Sequence, residues 1–180
     1  IIEPRLALLE RFQASLGRDP ARWASNISPL TSAAAIGDTA PYIFLFDAAG
    51  VVRLPPTLAA LADIRIGDRP YFNELEQGAA WTVSALIPQS ATGGPVFAIA
   101  RRLEIEGGFA GAAVIYTPAD ALEPTWTTVA LGRGSAIAAI RTDGQLVSRY
   151  PLATEPVDLS NYVLFTDHLP RSRSGVYEGP

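Results

Sequence analysis

Cysteine is absent from this 180-residue chain, which excludes disulfides, thiolate catalysis and most zinc sites together. Lysine is absent too, so all 14 basic residues are arginines, spread from Arg5 to Arg173 with no run longer than a pair. Nucleic-acid binding needs a clustered basic face, and a net charge of -4 with scattered arginines does not offer one. We therefore expect no nucleic-acid partner.

Long apolar runs are lacking as well. No stretch reaches the roughly 18 apolar residues that a membrane span requires, although a hydrophobic content of 48% is typical of a globular protein. The chain starts at Ile1, without an initiator methionine or a signal-peptide layout. We interpret it as an excised or processed piece of a longer protein.

Signatures of catalysis are scarce. His168 is the one histidine, so a Ser-His-Asp site would have to use it, and no Gly-x-Ser-x-Gly elbow accompanies it. The Gly-Arg-Gly-Ser stretch at 132–135 fails as a phosphate loop because the chain has no lysine to follow it. Glu104 and Glu106 lie beside a Gly-Gly turn, where we interpret both as solvated. The sequence therefore predicts no catalytic residue, no metal site and no cofactor in this chain.

The first residues predict a helix already in progress. Apolar side chains recur on one stripe or beside it until Gly17 supplies a stop. These residues are Ile2, Leu6, Leu8, Leu9, Phe12 and Leu16. So wide an apolar arc favours a partner helix in a homodimer, while packing on its own domain is the equal alternative. A second helical stretch over about 21–36 completes an N-terminal helical region, 1–38.

Extended patterns replace the helical ones after residue 41. The stretch YIFLFDAAGVVRLPP, 42–56, predicts a hairpin, and three more strand candidates follow at 81–88, 95–108 and 109–118. Between them, YFNELEQ at 71–77 predicts a short helix. The connectors are rich in turn formers, which favours antiparallel neighbours. Five strands with helices inserted after the second predict an α+β fold with one antiparallel sheet.

The hairpin pattern recurs after a predicted helix over about 119–131. The stretch SAIAAIRTDGQLVSRYP, 135–151, repeats the order of apolar strand, glycine turn, apolar strand, arginine and proline, and aligns Gly50 with Gly144, 94 positions later. A period this long indicates two successive small domains. The second copy is short, so we expect either missing residues between 152 and 180 or a truncated domain with one helix and the start of its next strand.

Taken in order, four stretches resemble the double Cache sensor modules, the extracytoplasmic PAS-like ligand-binding regions of bacterial receptors. They are the leading helix, the hairpin YIFLFDAAGVVRLP, the segment DIRIGDRPYF at 63–72, and the block TGGPVFAIARRLEIEGGFAGAAVIY at 92–116. The last block is similar to the family's Thr-Gly turn, Arg-containing strand and Gly-x-Phe-x-Gly turn into the final strand.

The resemblance implies an N-terminal helix that dimerises, a membrane-distal ligand-binding domain at 39–131 and the start of a membrane-proximal domain at 132–180. It also implies a membrane-anchored parent protein with this part in the periplasm. A sensor histidine kinase is our first choice of parent, with a diguanylate cyclase or a chemotaxis receptor as alternatives. In the family, the Arg-x-Tyr-Phe region lines the ligand cavity of the distal domain.

The segment DRPYF suits that role. Asp68 can hold Arg69 in place while the guanidinium faces a carboxylate or another planar anion. Pro70 fixes the entrance of a helix, and Tyr71 and Phe72 offer a hydroxyl and an apolar wall. Equally open is a structural interpretation, in which an Asp68–Arg69 pair staples the loop and both rings belong to the core.

Strand residues supply candidates for the opposite wall. Alternation in VFAIARRL places Phe97 and Arg101 on one face and Arg102 on the other, and only one face can look into the cavity. Neighbouring strands add Trp81, Ser84 and Tyr116. Amino-acid-binding members of the family carry an Asp near the end of the final strand, where this chain has Tyr116 and Thr117. The departure favours a carboxylate or another small polar molecule as ligand.

Three functions stay open. The chain can be a ligand-sensing input domain with a small-molecule partner, a structural dimerisation module with an empty PAS-like fold, or a small hydrolase with an unfamiliar site. The resemblance favours the first.

Overall fold

The computed structural model describes residues 1–16, 19, 23, 43–53, 63–88, 94–129, 132 and 134–177. It divides into two compact units, one formed by Ile1–Ser84 with Ala98–Thr117 and the other by Ala85–Phe97 with Pro118–Pro180. The helical stretch expected over 21–36 lies outside the described residues, apart from Trp23. The domain boundary expected at 131/132, drawn from the internal repeat, stays a prediction.

Helix α1, Ile2–Leu16, opens the first unit and confirms the predicted leading helix. Leu9, Phe12 and Leu16 are its buried residues, and their spacing of three and four places them on one face. Leu6 and Leu8 flank that face and stay half-buried. The helix therefore anchors itself in its own unit through part of its apolar arc and leaves the flanks of the arc partly exposed.

A five-stranded sheet forms the centre of the first unit, in the order β2-β1-β5-β4-β3. Its strands are β1, Ile43–Asp47; β2, Val52–Arg53; β3, Trp81–Val83; β4, Val96–Ile105; and β5, Gly108–Pro118. Strand β1 pairs antiparallel with β2 and β5, and β3 pairs antiparallel with β4. The inner strands are buried on both faces, which explains their continuous apolar runs.

Helix α2, Pro70–Glu76, lies between β2 and β3 in the chain, where the short helix is predicted. Pro70 stands at the first helical positions, where its fixed φ suits a helix and its missing N–H costs no hydrogen bond. Tyr71, Phe72 and Leu75 are its buried residues. Leu75 follows Phe72 by three positions and Tyr71 by four, so these side chains lie on the side of the short helix that faces the core.

The second unit contains one hairpin, formed by β6, Ile137–Ile140, and β7, Leu146–Tyr150. A 3-10 turn at Ala119–Leu122 runs into α3, Glu123–Trp126, and a π-helical turn at Leu164–His168 runs into α4, Leu169–Arg171. Leu86, Ala119 and Leu146 form its buried cluster. The buried Ser148 hydroxyl donates to the Ala119 carbonyl and ties the hairpin to the turn.

The internal repeat is confirmed by matching hydrogen bonds. The Ile66 N–H donates to the Gly50 carbonyl at 2.9 Å, and the Leu159 N–H donates to the Gly144 carbonyl at the same distance. Downstream, the Arg69 N–H donates to Ile66, as the Tyr162 N–H donates to Leu159. Each copy is thus a hairpin with the following segment docked at its glycine, followed by a helical turn.

One expectation is wrong at its end, and another is not met among the described residues. The helix predicted over 119–131 stops at Trp126, because the Thr127 and Thr128 hydroxyls bond back to carbonyls of the preceding turn and compete with further helix. After α4, residues 172–177 form no strand, so the start of a next strand is not found among the described residues.

We expect Gly50→Ala to destabilise the protein more than Gly107→Ala. Both glycines have positive φ, +70° and +81°, so alanine strains the backbone by about 1–3 kcal/mol at either position. Only Gly50 is also crowded: an added Cβ would lie 2.3 Å from the Gly67 nitrogen, whereas nothing lies within 4 Å at Gly107. Urea unfolding measures both variants, and equal midpoints would show that the close approach at Gly50 is not required.

Candidate functional site

The candidate site begins where α2 begins. Arg69 occupies the N-cap position with extended backbone angles, φ -80° and ψ 135°, and its side chain makes no capping bond. The preceding chain is held to the hairpin because the Ile66 N–H donates to Gly50, and Arg69 in turn donates its N–H to Ile66. Backbone contacts alone therefore fix the position of Arg69, and its guanidinium is left free of a structural task in the cap.

Two tyrosines meet beside Arg69. The hydroxyls of Tyr71 on α2 and Tyr116 on β5 lie 3.1 Å apart, within hydrogen-bond distance, and either can be the donor. Tyr71 is buried, Tyr116 is half-buried, and the Tyr116 ring packs edge-on against Phe44 at 5.4 Å. A pair of hydroxyls that shares one hydrogen bond keeps a second proton that it can donate to an acceptor.

Burial raises the pKa of Tyr71, and the neighbouring Tyr116 raises it further, while the positive charge of Arg69 acts in the opposite direction. Burial also raises the pKa of Tyr116, against the effects of its hydrogen bond with Tyr71 and of the charge of Arg69. Both hydroxyls are therefore protonated at neutral pH. The positive charge of Arg69, two positions before Tyr71 in the chain, lowers the pKa of both hydroxyls against the effect of burial.

Asp68 does not hold Arg69. Among the described residues neither side chain makes an ion pair or a hydrogen bond, and both are exposed. The structural interpretation in which an Asp68–Arg69 pair staples the loop therefore finds no support in these contacts. An exposed guanidinium without a carboxylate partner can accept an anion without first breaking an ion pair.

The two faces of the sheet carry different helices. Tyr116 and Thr82 face α2, since Tyr116 meets Tyr71 and the Thr82 hydroxyl donates to the carboxylate of Glu74. Arg101 faces α1 through its bonds to Gln13 and Glu10. Cross-strand pairing places Trp81 on the same face as Arg101, and alternation adds Phe97. The structure thus brings Tyr71 and Tyr116 together, with Arg69 two positions before Tyr71, and directs Trp81, Phe97 and Arg101 to the opposite face.

The remaining predicted site residues have structural contacts. Phe72 is buried and packs edge-on against Phe109 with ring centroids 5.4 Å apart. The buried Ser84 hydroxyl accepts the Ala98 backbone N–H at 2.8 Å. Phe72 belongs to α2 and Ser84 bonds to β4, and their role in ligand binding stays a prediction.

Arg102 is the residue that sequence reasoning passed over. Its guanidinium donates to the Leu75 and Glu76 carbonyls at the end of α2 and lies 4.9 Å above the Phe109 ring. Alternation along β4 separates Arg102 from Arg101 but does not say which of them faces α2. Ala98 and Ala100 lie on the same strand face as Arg102, and their small side chains leave room for a helix. They are the feature of the sequence that indicates α2 on this face.

In the described part of the chain, neither the acidic residues nor His168 forms a further candidate site. No cluster of three or more His, Asp or Glu side chains there could hold a metal ion. His168 stacks on Tyr177 at 4.3 Å in the second unit, away from the tyrosine pair in sequence and unit. Within the same residues, no helix has both the length and the apolar character to span a membrane.

Solved structures share this fold. The extracellular domain of the putative histidine kinase rpHK1S-Z16 aligns with 97% of this chain and 73% of its own length, at 24% identity and a TM-score of 0.71. The ligand-binding domain of the Pseudomonas fluorescens chemoreceptor CtaA, in complex with L-serine, aligns with 81% of this chain at 22% identity and a TM-score of 0.56. The ligand-binding domain of the Pseudomonas aeruginosa PAO1 chemoreceptor PctB, in complex with L-Arg, aligns with 81% of this chain at 20% identity and a TM-score of 0.59.

The likeness concerns the fold. This chain spans 63% of the CtaA domain and 61% of the PctB domain. No protein-family model matches the sequence, and no curated protein does. The α+β fold predicted from the sequence, with a leading helix and an antiparallel sheet, is confirmed, and these solved domains share it.

The tyrosine pair predicts a loss of stability in alkali. The folded-state pKa of Tyr71 and of Tyr116 lies above the unfolded value of about 10, so the stability linked to their protonation is present below that pH and is lost as the pH rises. We expect urea midpoints to fall above about pH 10 and to fall less steeply in Tyr71→Phe. Tyr150→Phe is the control, and an unchanged slope in Tyr71→Phe would contradict the assignment.

Proposed function

We propose that this chain is the extracytoplasmic ligand-sensing part of a bacterial transmembrane receptor and that it binds a small anionic metabolite in its first unit. Three groups hold the anion: the Arg69 guanidinium and the hydroxyls of Tyr71 and Tyr116. The fold shared with receptor sensor domains supports the sensing role. The single observation that carries the anion is the exposed Arg69, which has no ion pair among the described residues and stands two positions before Tyr71 and its hydrogen bond with Tyr116.

A carboxylate is the ligand class that these donors fit. A guanidinium offers parallel N–H groups that match the two oxygens of a carboxylate, and a phenol adds a third donor. The solved neighbours CtaA and PctB hold L-serine and L-Arg, whose ammonium groups need an acceptor. Tyr116 and Thr117 stand here where an Asp is expected in amino-acid binders, and Glu74 already accepts from Thr82. We therefore place a carboxylate without an α-ammonium ahead of an amino acid.

The parent protein is proposed to be a membrane-anchored sensor histidine kinase with this part in the periplasm, as the rpHK1S-Z16 fold neighbour favours. A chemotaxis receptor is the second candidate, because CtaA and PctB share the fold too. The chain itself is proposed to be non-catalytic. A dimer through α1 remains part of the proposal, supported by the half-buried Leu6 and Leu8 at the flanks of its buried face.

Arg69→Ala should weaken carboxylate binding about 10- to 100-fold, since a hydrogen bond to a charged group is worth about 1.5–3 kcal/mol. Propionate, L-alanine and propionamide are the probes, because they differ only by the ammonium or by the charge. We expect propionate to raise the melting temperature most, since a ligand that binds only the folded state stabilises it. Calorimetry then gives affinities for the wild type and the variant.

Arg65→Ala is the matched control, because Arg65 is an exposed arginine of the same segment and its loss changes the net charge equally. Equal affinities in Arg69→Ala and wild type would dismiss the anion site. A larger effect of L-alanine than of propionate would point to an amino-acid ligand. If formate, acetate, lactate and succinate also leave the melting temperature unchanged, the structural dimerisation module becomes the better interpretation.

A dimer through α1 predicts crosslinking with a helical period. The chain has no cysteine, so single cysteines introduced at Leu6, Ala7, Leu8 and Arg11 report without background. We expect oxidation to join chains at one face of α1 and to spare the other. Propionate should change the pattern if binding shifts the population between two helix arrangements. Equal crosslinking at all four positions, or none, would contradict a dimer through this helix.

A further inference from the structure

Strand β4 carries two adjacent arginines that grip different helices. Arg101 and Arg102 follow each other at the exposed half of the strand, and alternation sends their side chains to opposite faces. Both are mostly buried, with side-chain exposures of 22% and 12%. Buried guanidinium groups need partners to offset the loss of water. Arg101 finds them on α1, and Arg102 finds them on α2 and in Glu104 of its own strand, whose carboxylate lies 2.7 Å from its Nε.

Arg102 holds α2 at two places. Its terminal nitrogen donates to the carbonyls of Leu75 and Glu76, the latter at 3.1 Å, and these belong to the last turn of the helix. A cation at a helix C-terminus satisfies carbonyls that have no partner within the helix. Its guanidinium also lies over Phe109, whose ring packs edge-on against Phe72 of α2. Arg102 thereby sets the position of the helix that begins at Arg69 and Tyr71.

Arg101 holds α1 on the other face. One terminal nitrogen lies 3.0 Å from a carboxylate oxygen of Glu10, and its Nε donates to the side-chain oxygen of Gln13 at 3.0 Å. Glu10 and Gln13 stand one turn apart on α1, so the fork of the guanidinium spans that turn. The peptide bond between Arg101 and Arg102 thus joins a contact to α1 directly to a contact to α2.

We propose that Arg101 and Arg102 form a coupling element, in which Arg102 is a positioning residue for Arg69 and Tyr71 and Arg101 passes a displacement of α2 to α1. A shift of α2 pulls on the Arg102 guanidinium, tilts the intervening peptide and alters the Arg101 contacts with Glu10 and Gln13. The use of this coupling to report an anion at Arg69 rests on the proposed function. The coupling itself does not.

Hydrogen exchange tests the coupling without a ligand. In Arg102→Ala, we expect the amides of α2 to exchange about 10- to 100-fold faster, from the loss of charged hydrogen bonds. Amides of α1, which Arg102 does not touch, should exchange about 2- to 5-fold faster. Because coupling is reciprocal, Glu10→Gln on the exposed side of α1 should speed exchange in α2 as well. Arg102→Lys keeps a donor for both carbonyls and should restore part of the protection.

Two controls distinguish coupling between α1 and α2 from a general loss of stability. Amides of β1 report global unfolding, so the rates in α1 and α2 are compared with them in every variant. Arg53→Ala removes the surface ion pair with Asp47 in the same unit and should leave α1 and α2 unchanged. The proposal is overturned if α1 keeps its rates in Arg102→Ala, or if α1 and β1 change in step. If propionate does not bind, the proposed anion site is contradicted. The hydrogen-exchange result on the coupling of α1 and α2 does not depend on that outcome.

Discussion

The close approach of two backbone segments at Gly50 determines where the candidate site stands. The Ile66 N–H reaches the Gly50 carbonyl at 2.9 Å, and the Gly67 nitrogen lies where a Cβ of residue 50 would be. Only a glycine with positive φ permits this approach. It holds the segment before α2 against the hairpin, so Arg69 enters the helix from a fixed position and needs no side-chain cap.

The second copy has the same close backbone approach at its glycine but different residues after it. Gly144 meets Ser160 as closely as Gly50 meets Gly67, and the hydrogen bonds that follow are equivalent. Tyr162 occupies the position of Arg69, however, and Leu164 that of Tyr71. The repeat therefore preserves the scaffold without the guanidinium and the buried hydroxyl. Equivalent backbone hydrogen bonds stabilise both copies, and the residues of the proposed anion site are those of the first copy.

Patterns local in the chain could be predicted, and contacts between distant elements could not. The hairpin with Gly50, the repeat at Gly144 and the helix after Pro70 rest on turn residues and apolar runs, which act over a few positions. The Asp68–Arg69 pair is expected from adjacency, yet no ion pair joins these side chains among the described residues. Tyr116 was named as a lining candidate, but its hydrogen bond to Tyr71 spans 45 positions and depends on the order of the strands.

The alternation of side chains along β4 does not predict which of its two adjacent arginines contacts α2. A strand pattern states that Arg101 and Arg102 face opposite ways, and the identical side chains give no sign of which face carries α2. The packing of α1 decides it, because Glu10 and Gln13 provide acceptors for only one of the two. The remaining arginine then meets the C-terminal carbonyls of α2. One strand thus contacts α1 on one face of the sheet and α2 on the other.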